Sequence, residues 1–559
     1  MIPQHSPVLI VGGGPCGLML SIELARRGIP LLLIDAKTSQ SLNPQANATQ
    51  ARTMEHYRRL GFAEEIRSKG LPPDYPTDIA YFTRYAGREL ARFRRPASRQ
   101  AGALVRNLAG SWSAAELPHR VSQKFVEGVL RRHASANPLA SINFGWRLKS
   151  FEQGADQVEA TVEHVETGAE RLVSAQYLVG ADGARSTVRR ALGVAYGGET
   201  GVQRDFFGGR MAAVYLRAPD FYSVLPHERA WMYWAFNAER RSWLAAVNGI
   251  DEFAFHTQLK PGEDEKITEA RARFLFRQVM GTDLQIEVLA VDTWIAGHAL
   301  VAESFQTGRV FIAGDAAHLF TPAGGLGYNT AVEDAVNLGW KLAAAIKGQA
   351  GAALLDSYGY ERRKLAIRNT GFARHLAESI GNFVPNAALE SDGEDGDRAR
   401  AEAGAYLCDH AKREFDIPGV TFGGRYDGST AIIAEDAPLP ADQANAYVPT
   451  ASPGGRPPHL WLEDGTSLYD LFGFEWSLLA FGTDESVVDS FARAAKRLGI
   501  DLRIVRLPNE AIRQLYEADY ALIRPDQIVA WRGNGREDAE SLLLRLLARA
   551  APGAERIVA

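Results

Sequence analysis

The stretch Val8–Gly17, VLIVGGGPCG, runs an apolar β-branched segment straight into a glycine cluster. Pro7–Val11 has the composition of a buried parallel strand. Gly12-x-Gly14-x-x-Gly17 follows at once, and Pro15 suits an early helical position, where its missing N–H costs little. The helix reads through Leu18–Arg27 to Gly28, and a second apolar run, Pro30–Ile34, ends at Asp35. Strand, tight turn, helix, strand and acid, in that order, form the setting in which a bare glycine pattern becomes a dinucleotide site. The glycines let the backbone approach a pyrophosphate, whose charge meets the positive end of the helix. Asp35 can accept from both ribose hydroxyls of an adenosine and disfavours a 2′-phosphate, which leaves FAD or NAD.

Two distant segments decide between them. Tyr177–Arg190 reads YLVGADGARSTVRR, and Arg309–Asn329 reads RVFIAGDAAHLFTPAGGLGYN. Each ends an apolar strand on an aspartate beside glycine, Asp182-Gly183 and Gly314-Asp315. Such an aspartate can accept from a ribityl hydroxyl while the glycine gives clearance. The bend Phe320–Asn329 then opens onto an amphipathic helix, Asn329–Lys347, stopped by Gly348. Backbone N–H groups at that helix start can stabilise negative charge on a reduced flavin ring. An NAD enzyme needs none of this second apparatus, so the expected cofactor is FAD.

Composition narrows the class. A chain of 559 residues exceeds one core, so two or three domains are expected. The net charge of −5 gives no electrostatic reason to bind nucleic acid or an anionic membrane. Cys16 and Cys408 are the two cysteines, which excludes a disulfide framework or a cysteine zinc site and suits a reducing cytoplasm. The apolar run near Met1 is too short for a signal peptide or a membrane span. A soluble, cytoplasmic enzyme without a metal is expected.

Elsewhere, Gln50–Gly61 and Ser122–His133 read as helices, with Ser122 as N-cap of the second. Residues 205–300 read mostly as β, with alternating aromatics in Ala213–Arg217, Ala230–Phe236 (AWMYWAF) and Ser242–Val247 (SWLAAV). A sheet with one aromatic face suggests the wall of an apolar pocket. Glu390–Glu402 is acidic and reads as a solvated loop or helix end. The proline-rich Asp436–Pro458 reads as a linker or an extended crossing segment. The last hundred or so residues alternate strand and helix as a small α/β domain does.

Taken together these motifs resemble the group A FAD-dependent aromatic hydroxylases, the fold of p-hydroxybenzoate hydroxylase. The likeness is greatest to the phenol hydroxylase branch, with its chlorophenol and nitrocatechol monooxygenases. The resemblance implies an α/β fold: a glutathione reductase-type, Rossmann-like FAD domain (1–75, 111–195 and 301–385) interleaved with a β-rich substrate domain (76–110 and 196–300). A helical and linker region (386–450) and a thioredoxin-like domain (451–559) follow. The last is carried by Ile523–Gly533 (IRPDQIVAWRG) and has no CxxC.

The same resemblance assigns FAD binding to Gly12, Gly14, Pro15, Gly17 and Asp35. It puts Arg52 on the phosphates and Gln123 near the ribityl chain. It adds Asp182, Gly183, Arg185, Gly314 and Asp315, then Pro322 beside the flavin C4a face, followed by Gly325, Leu326, Gly327 and Asn329. The implied reaction uses NADH or NADPH and O2 to hydroxylate a small phenol through a flavin C4a-hydroperoxide, in a homodimer.

Three positions depart from the family pattern. Asp35 stands where glutamate is usual, Pro44-Gln45-Ala46 replaces Pro-Arg-Ala, and QANATQ (Gln45–Gln50) carries no acid to ionise a phenol. Tyr233, Tyr215, Asn47 and Pro322 are the candidates for substrate contact or catalysis, with His298 and His227 as further proton acceptors. His318 is read as structural and Cys16 as a small filler. A larger polyketide or antibiotic-type substrate is the alternative, and a non-catalytic flavin redox sensor the remote one.

Overall fold

A computed structural model describes residues 2–38, 46–200 and 206–549, so Pro44 and Gln45 of the altered motif lie outside the described residues. His5–Val11 pairs in parallel with Leu31–Asp35 on one side and with Glu170–Gly180 on the other. Ala140–Phe144 extends the sheet beyond Leu31–Asp35, and Val310–Ile312 extends it beyond Glu170–Gly180. The central strands His5–Val11, Leu31–Asp35 and Val310–Ile312 are covered on both faces over most of their length, which is why they read as unbroken apolar runs instead of alternating. The helices Pro15–Arg26 and Leu326–Ile346 pack together over the sheet.

Register brings the three glycine segments together. Val11 lies opposite both Ile34 and Gly180, and Gly180 lies opposite Ile312. Four strand ends therefore share one carboxyl edge, the place where open parallel sheets bind ligands.

A second sheet has seven strands, in the order Glu287–Ile295, Arg210–Arg217, Glu252–Gln258, Arg241–Ala246, Met232–Phe236, Ile79–Phe82, Glu89–Phe93. All neighbours are antiparallel except Met232–Phe236 and Ile79–Phe82. The helix Glu269–Met280 contributes Leu275, Phe276 and Val279 to the core of this sheet. Ala299–Ala302 joins the two sheets through a small sheet with Tyr196–Glu199 and His318–Leu319.

The C-terminal sheet is ordered Leu502–Arg506, Trp476–Ala480, Tyr520–Ile523, Val529–Gly533, with Tyr520–Ile523 antiparallel to both of its neighbours. With helices Glu485–Leu498, Glu510–Tyr516 and Ala539–Leu546 it is a thioredoxin-like βαβαββα unit. The acidic run expected as a loop or helix end opens the helix Glu394–Phe415, with Glu394, Asp395 and Asp397 at its positive end. The proline-rich crossing is irregular, yet residues 451–459 are buried throughout, so its end is an interface and not a free tether. No described helix is long and apolar enough to cross a membrane.

Candidate active site

The first glycine cluster is shaped by what a side chain would strike. Gly12 holds φ +116, and a Cβ there would lie 2.1 Å from the carbonyl oxygen of Ala181, on the second glycine segment. A Cβ on Gly17 would lie 1.9 Å from Gly12 O, so this turn closes on its own helix. At Gly14 nothing stands within 4 Å of the Cβ position, which leaves the backbone open on the outer side. Pro15 is the first residue of the helix Pro15–Arg26, whose N-terminus has no side-chain cap and no acid in its first turn. An uncapped positive helix end beside an open glycine backbone fits a pyrophosphate. The Asp35 carboxylate accepts from Gly13 N at 2.6 Å and from Lys37 N at 2.7 Å, and stays partly exposed at the strand end.

The third segment repeats this arrangement. Gly324 and Gly325 hold φ +71 and +64 in succession, a bend that side chains resist. The helix Leu326–Ile346 then starts without a side-chain cap and without an acid in its first turn. Asn329 fastens the bend: its Oδ1 accepts from Gln50 N at 2.8 Å, and its Nδ2 donates to Ala48 O and Gly325 O. Leu326 packs its side chain into an apolar cluster with Ala373, Ile417 and Val420, leaving its backbone for the site. Pro322 and Gly327 are partly exposed beside it. Two uncapped helix ends on one strand edge, with the glycine cradle between them, fit FAD; bound there, it would rest on Gly12, Gly14 and Asp35 at one end and on the Pro322–Gly327 bend at the other.

Behind the bend lies a buried hub that the sequence did not reveal. Asp334 accepts from Gly314 N (3.0 Å), from Arg362 Nε (2.7 Å) and pairs with His318 Nε2 (2.6 Å). Burial alone would raise the Asp334 carboxyl, but His318 and Arg362 hold it below the usual range. His318 is fully buried and structural, in keeping with its reading. Asp315 is open to solvent yet closely surrounded, and lost hydration pushes its carboxyl up against the opposing effect of His318. Cys16 fills the space between Gly314 and the first helix.

Several candidates are placed elsewhere than the sequence suggested. Arg52 is buried and turned to the C-terminal domain: it donates to Glu55 Oε2 (3.0 Å), Gln527 Oε1 (3.2 Å) and the carbonyls of Asp526 and Gln527 (3.0 Å each). Its guanidinium ties domains together where phosphate binding was expected. Asp182 likewise caps the short helix Thr187–Ala191, accepting from Ser186 Oγ (2.5 Å), Thr187 N (2.6 Å) and Val188 N (3.2 Å). Gly183 beside it holds φ +79, and Arg185 is exposed. Gln123 opens the helix Gln123–Ser135, but its amide donates to Glu127 Oε1 (2.8 Å), and Ser122 makes no cap.

Tyr215 bridges Lys124 and Glu252, and burial raises its hydroxyl above the usual range. Tyr233 is likewise committed to contacts within the protein. Its hydroxyl accepts from Ala230 N at 2.7 Å, and its ring packs against Phe221 and Tyr85, on the closed face of the sheet. Burial pushes it up to about 12. His227 bonds Gly87 O at the far edge, and His298 bonds Thr200 at 3.0 Å. Asn47 is buried beside the bend, and its Oδ1 has no partner.

The opposite face of the sheet carries a row. Tyr81, Trp234, Trp243 and His256 lie directly opposite one another across four adjacent strands. All four are buried, at 0%, 2%, 8% and 4% exposure. Tyr81 Oη, Trp234 Nε1, Trp243 Nε1 and His256 Nε2 each lack a hydrogen-bond partner. Tyr81 also feels the charge of Glu414, whose Oε1 accepts from Gly324 N at 3.0 Å, so this end of the row neighbours the glycine bend.

Comparison with known proteins agrees with the architecture. Residues 5–373 match the FAD binding domain family and residues 450–551 match "Aromatic-ring hydroxylase, C-terminal". A putative polyketide hydroxylase of Streptomyces halstedii is 31% identical, covering 96% of this chain and 94% of that one. Phenol 2-monooxygenase of Pseudomonas sp. (strain EST1001) is 29% identical over 97% of this chain and 92% of its own. A solved structure of RebC with bound 7-carboxy-K252c superposes with a TM-score of 0.88 at 33% identity, covering 98% of this chain and all of that one. The chain belongs to the FAD-dependent aromatic-ring hydroxylases.

Proposed function

We propose that this protein uses NADH or NADPH and O2 to hydroxylate a phenolic ring within a fused polycyclic aromatic substrate of the polyketide or antibiotic type. The observation that carries this reading is the width of the aromatic wall: its ring row extends over four strands, and a single phenol would cover only part of it. The relative named as a putative polyketide hydroxylase and the RebC structure support it, while the phenol 2-monooxygenase relative keeps a one-ring substrate as the second reading.

When bound, FAD supplies the electron and oxygen chemistry. The chain's own residues do the rest. Asn47 Oδ1, buried and unpartnered next to the bend, accepts from the phenolic O–H and sets which ring carbon faces the flavin. The aromatic wall aligns the ring plane and excludes water. The uncapped start of Leu326–Ile346 would stabilise negative charge on a bound flavin. The Asp334 hub keeps that edge fixed by holding Gly314. The homodimer is carried by family resemblance alone.

The test is NADH and NADPH oxidation by the yellow, FAD-loaded protein with a panel of monocyclic and fused-ring phenols, tracking product by mass. Stimulation by fused phenols with a gain of one oxygen supports the reading. Stimulation confined to monocyclic phenols replaces it with a simple phenol hydroxylase, and tight FAD binding with no stimulation at all points to a redox sensor.

A further inference from the structure

Burying a polar hydrogen without a partner is costly, and native folds rarely leave such groups together. Here four occur side by side, on neighbouring strands and in register. Two are indole N–H groups and one is a phenol O–H. The fourth is settled by its neighbour: Trp294 Nε1 donates to His256 Nδ1 at 3.3 Å, which places the His256 hydrogen on Nε2. His256 is also stacked on Trp243, with ring centroids 3.9 Å apart and planes 12° from parallel. The row is thus a strip of donors. Strands lie about 4.8 Å apart, so four in a row span about 14 Å from first to last.

Glu414 stands near the Tyr81 end of the strip, and the groups packed on Trp234 are carbon edges. Phe206 and Phe207 meet Trp234 at centroid distances of 6.1 and 5.8 Å, and Phe236 lies 6.1 Å away. Their rings carry no oxygen or nitrogen that could accept from an indole N–H. Phe207 sits at φ +55, a conformation unfavourable for a bulky residue. The filler over the strip is therefore held under strain.

We propose that Tyr81, Trp234, Trp243 and His256 form a linear recognition strip that reads acceptor oxygens along one edge of a flat substrate of three or more fused rings. This rests on the fused-ring reading above and narrows it: the substrate carries carbonyl or quinone oxygens on the edge that meets the strip. The substrate takes the place of the Phe206–Phe207 edge. A monocyclic phenol engages part of the strip and leaves the remaining donors unpaired.

The test is equilibrium binding to the FAD-loaded enzyme, followed by flavin absorbance and tryptophan quenching. The probes are phenol, 1-hydroxyanthracene and 1-hydroxyanthraquinone; the last two share three rings and differ in carbonyl oxygens. Wild type is expected to bind the anthraquinone at least roughly tenfold tighter than the anthracene, because several hydrogen bonds to otherwise unpaired donors are gained. Trp243→Phe and, separately, Tyr81→Phe are expected each to weaken the anthraquinone by roughly three- to tenfold and to leave the anthracene unchanged, with the melting temperature equal to or above wild type.

Equal affinities for the two three-ring probes, or no binding of either, overturns the strip. So does a loss of melting temperature in both variants with the affinity ratio intact, which makes the rings mere packing. Turnover separates the two levels. Strip-dependent binding without oxygenation of any fused phenol keeps the strip and removes the monooxygenase reading. Oxygenation of fused phenols with an affinity ratio indifferent to both substitutions does the reverse.

Discussion

Two buried regions differ in how their key polar groups are met. Where the C-terminal domain docks, the Glu361 carboxylate accepts from Arg524 (2.7 and 2.9 Å), Ser429 (2.5 Å), Lys341 (2.6 Å) and Asn337 (2.7 Å). Arg524 also chelates Asp526, and nearby Glu55 is gripped by Arg456 and Arg52. On the aromatic face of the seven-stranded sheet, four equally buried polar atoms have no partner at all. A closed network of this kind is architecture: every donor that reaches Glu361 comes from the chain itself. The open row is where the proposed substrate would bind. The difference also says what holds the C-terminal domain, which lacks CxxC: Arg524 pairs with Glu361 on the helix Ala352–Gly381, and hydrogen bonds from Arg52 and Asn337 tie the Asp526 turn to the helices Ala51–Leu60 and Leu326–Ile346.

The largest effect should come from opening the closed network. Glu361→Ala leaves Lys341 without its carboxylate in the interior and Arg524 with Asp526 alone, and should lower unfolding free energy by about 3–5 kcal/mol, read from urea midpoints. A loss near zero would mean the dock is not what fixes the C-terminal domain.

Acid should come next. Burial would raise Glu55, yet Arg456 and Arg52 hold it down to about 2 from an ordinary 4.5. A depressed carboxylate contributes stability that is complete above the unfolded value and is lost as pH falls through the folded one. The dock should therefore loosen between about pH 4.5 and 2, by roughly 3 kcal/mol in all. Glu55→Gln, already destabilised at neutral pH, should show a flatter acid profile over that window. An unchanged slope would remove Glu55 from the account.

The smaller effects compare the two faces of one sheet. Tyr233→Phe removes a made hydrogen bond on the closed face, and should cost about 1 kcal/mol of stability with no change in ligand affinity. Tyr81→Phe removes an unmade one, and should be neutral or stabilising by up to about 1 kcal/mol. If both substitutions destabilise alike, the contrast between the faces fails.

Tyr233 and Trp234 show how far the sequence carried. The alternation in AWMYWAF says that these neighbours face opposite sides of a strand, because side chains in β structure repeat every two residues. It does not say which side is open. That depended on where the helix Glu269–Met280 lay down, and it lay against Tyr233's face, with Phe276 in contact with the same core. Arg52 is similar. Its sequence context suited phosphate binding, but the partner that took it, the Asp526–Gln527 turn, lies hundreds of residues away. Asp334 gave no sign in the sequence, since a buried aspartate in a helix and a surface one look alike until His318, Gly314 and Arg362 converge on it.

By itself the sequence determined what is local. The glycine turns, the apolar parallel strands and the alternation of strand and helix in the tail follow from backbone sterics and short-range periodicity, and together they specified the FAD fold. The tertiary structure alone decided which polar groups were satisfied and which were left open. Hydrogen bonding between distant segments is a property of register and packing, so it took four strands in register to place Tyr81, Trp234, Trp243 and His256 in one unpartnered line.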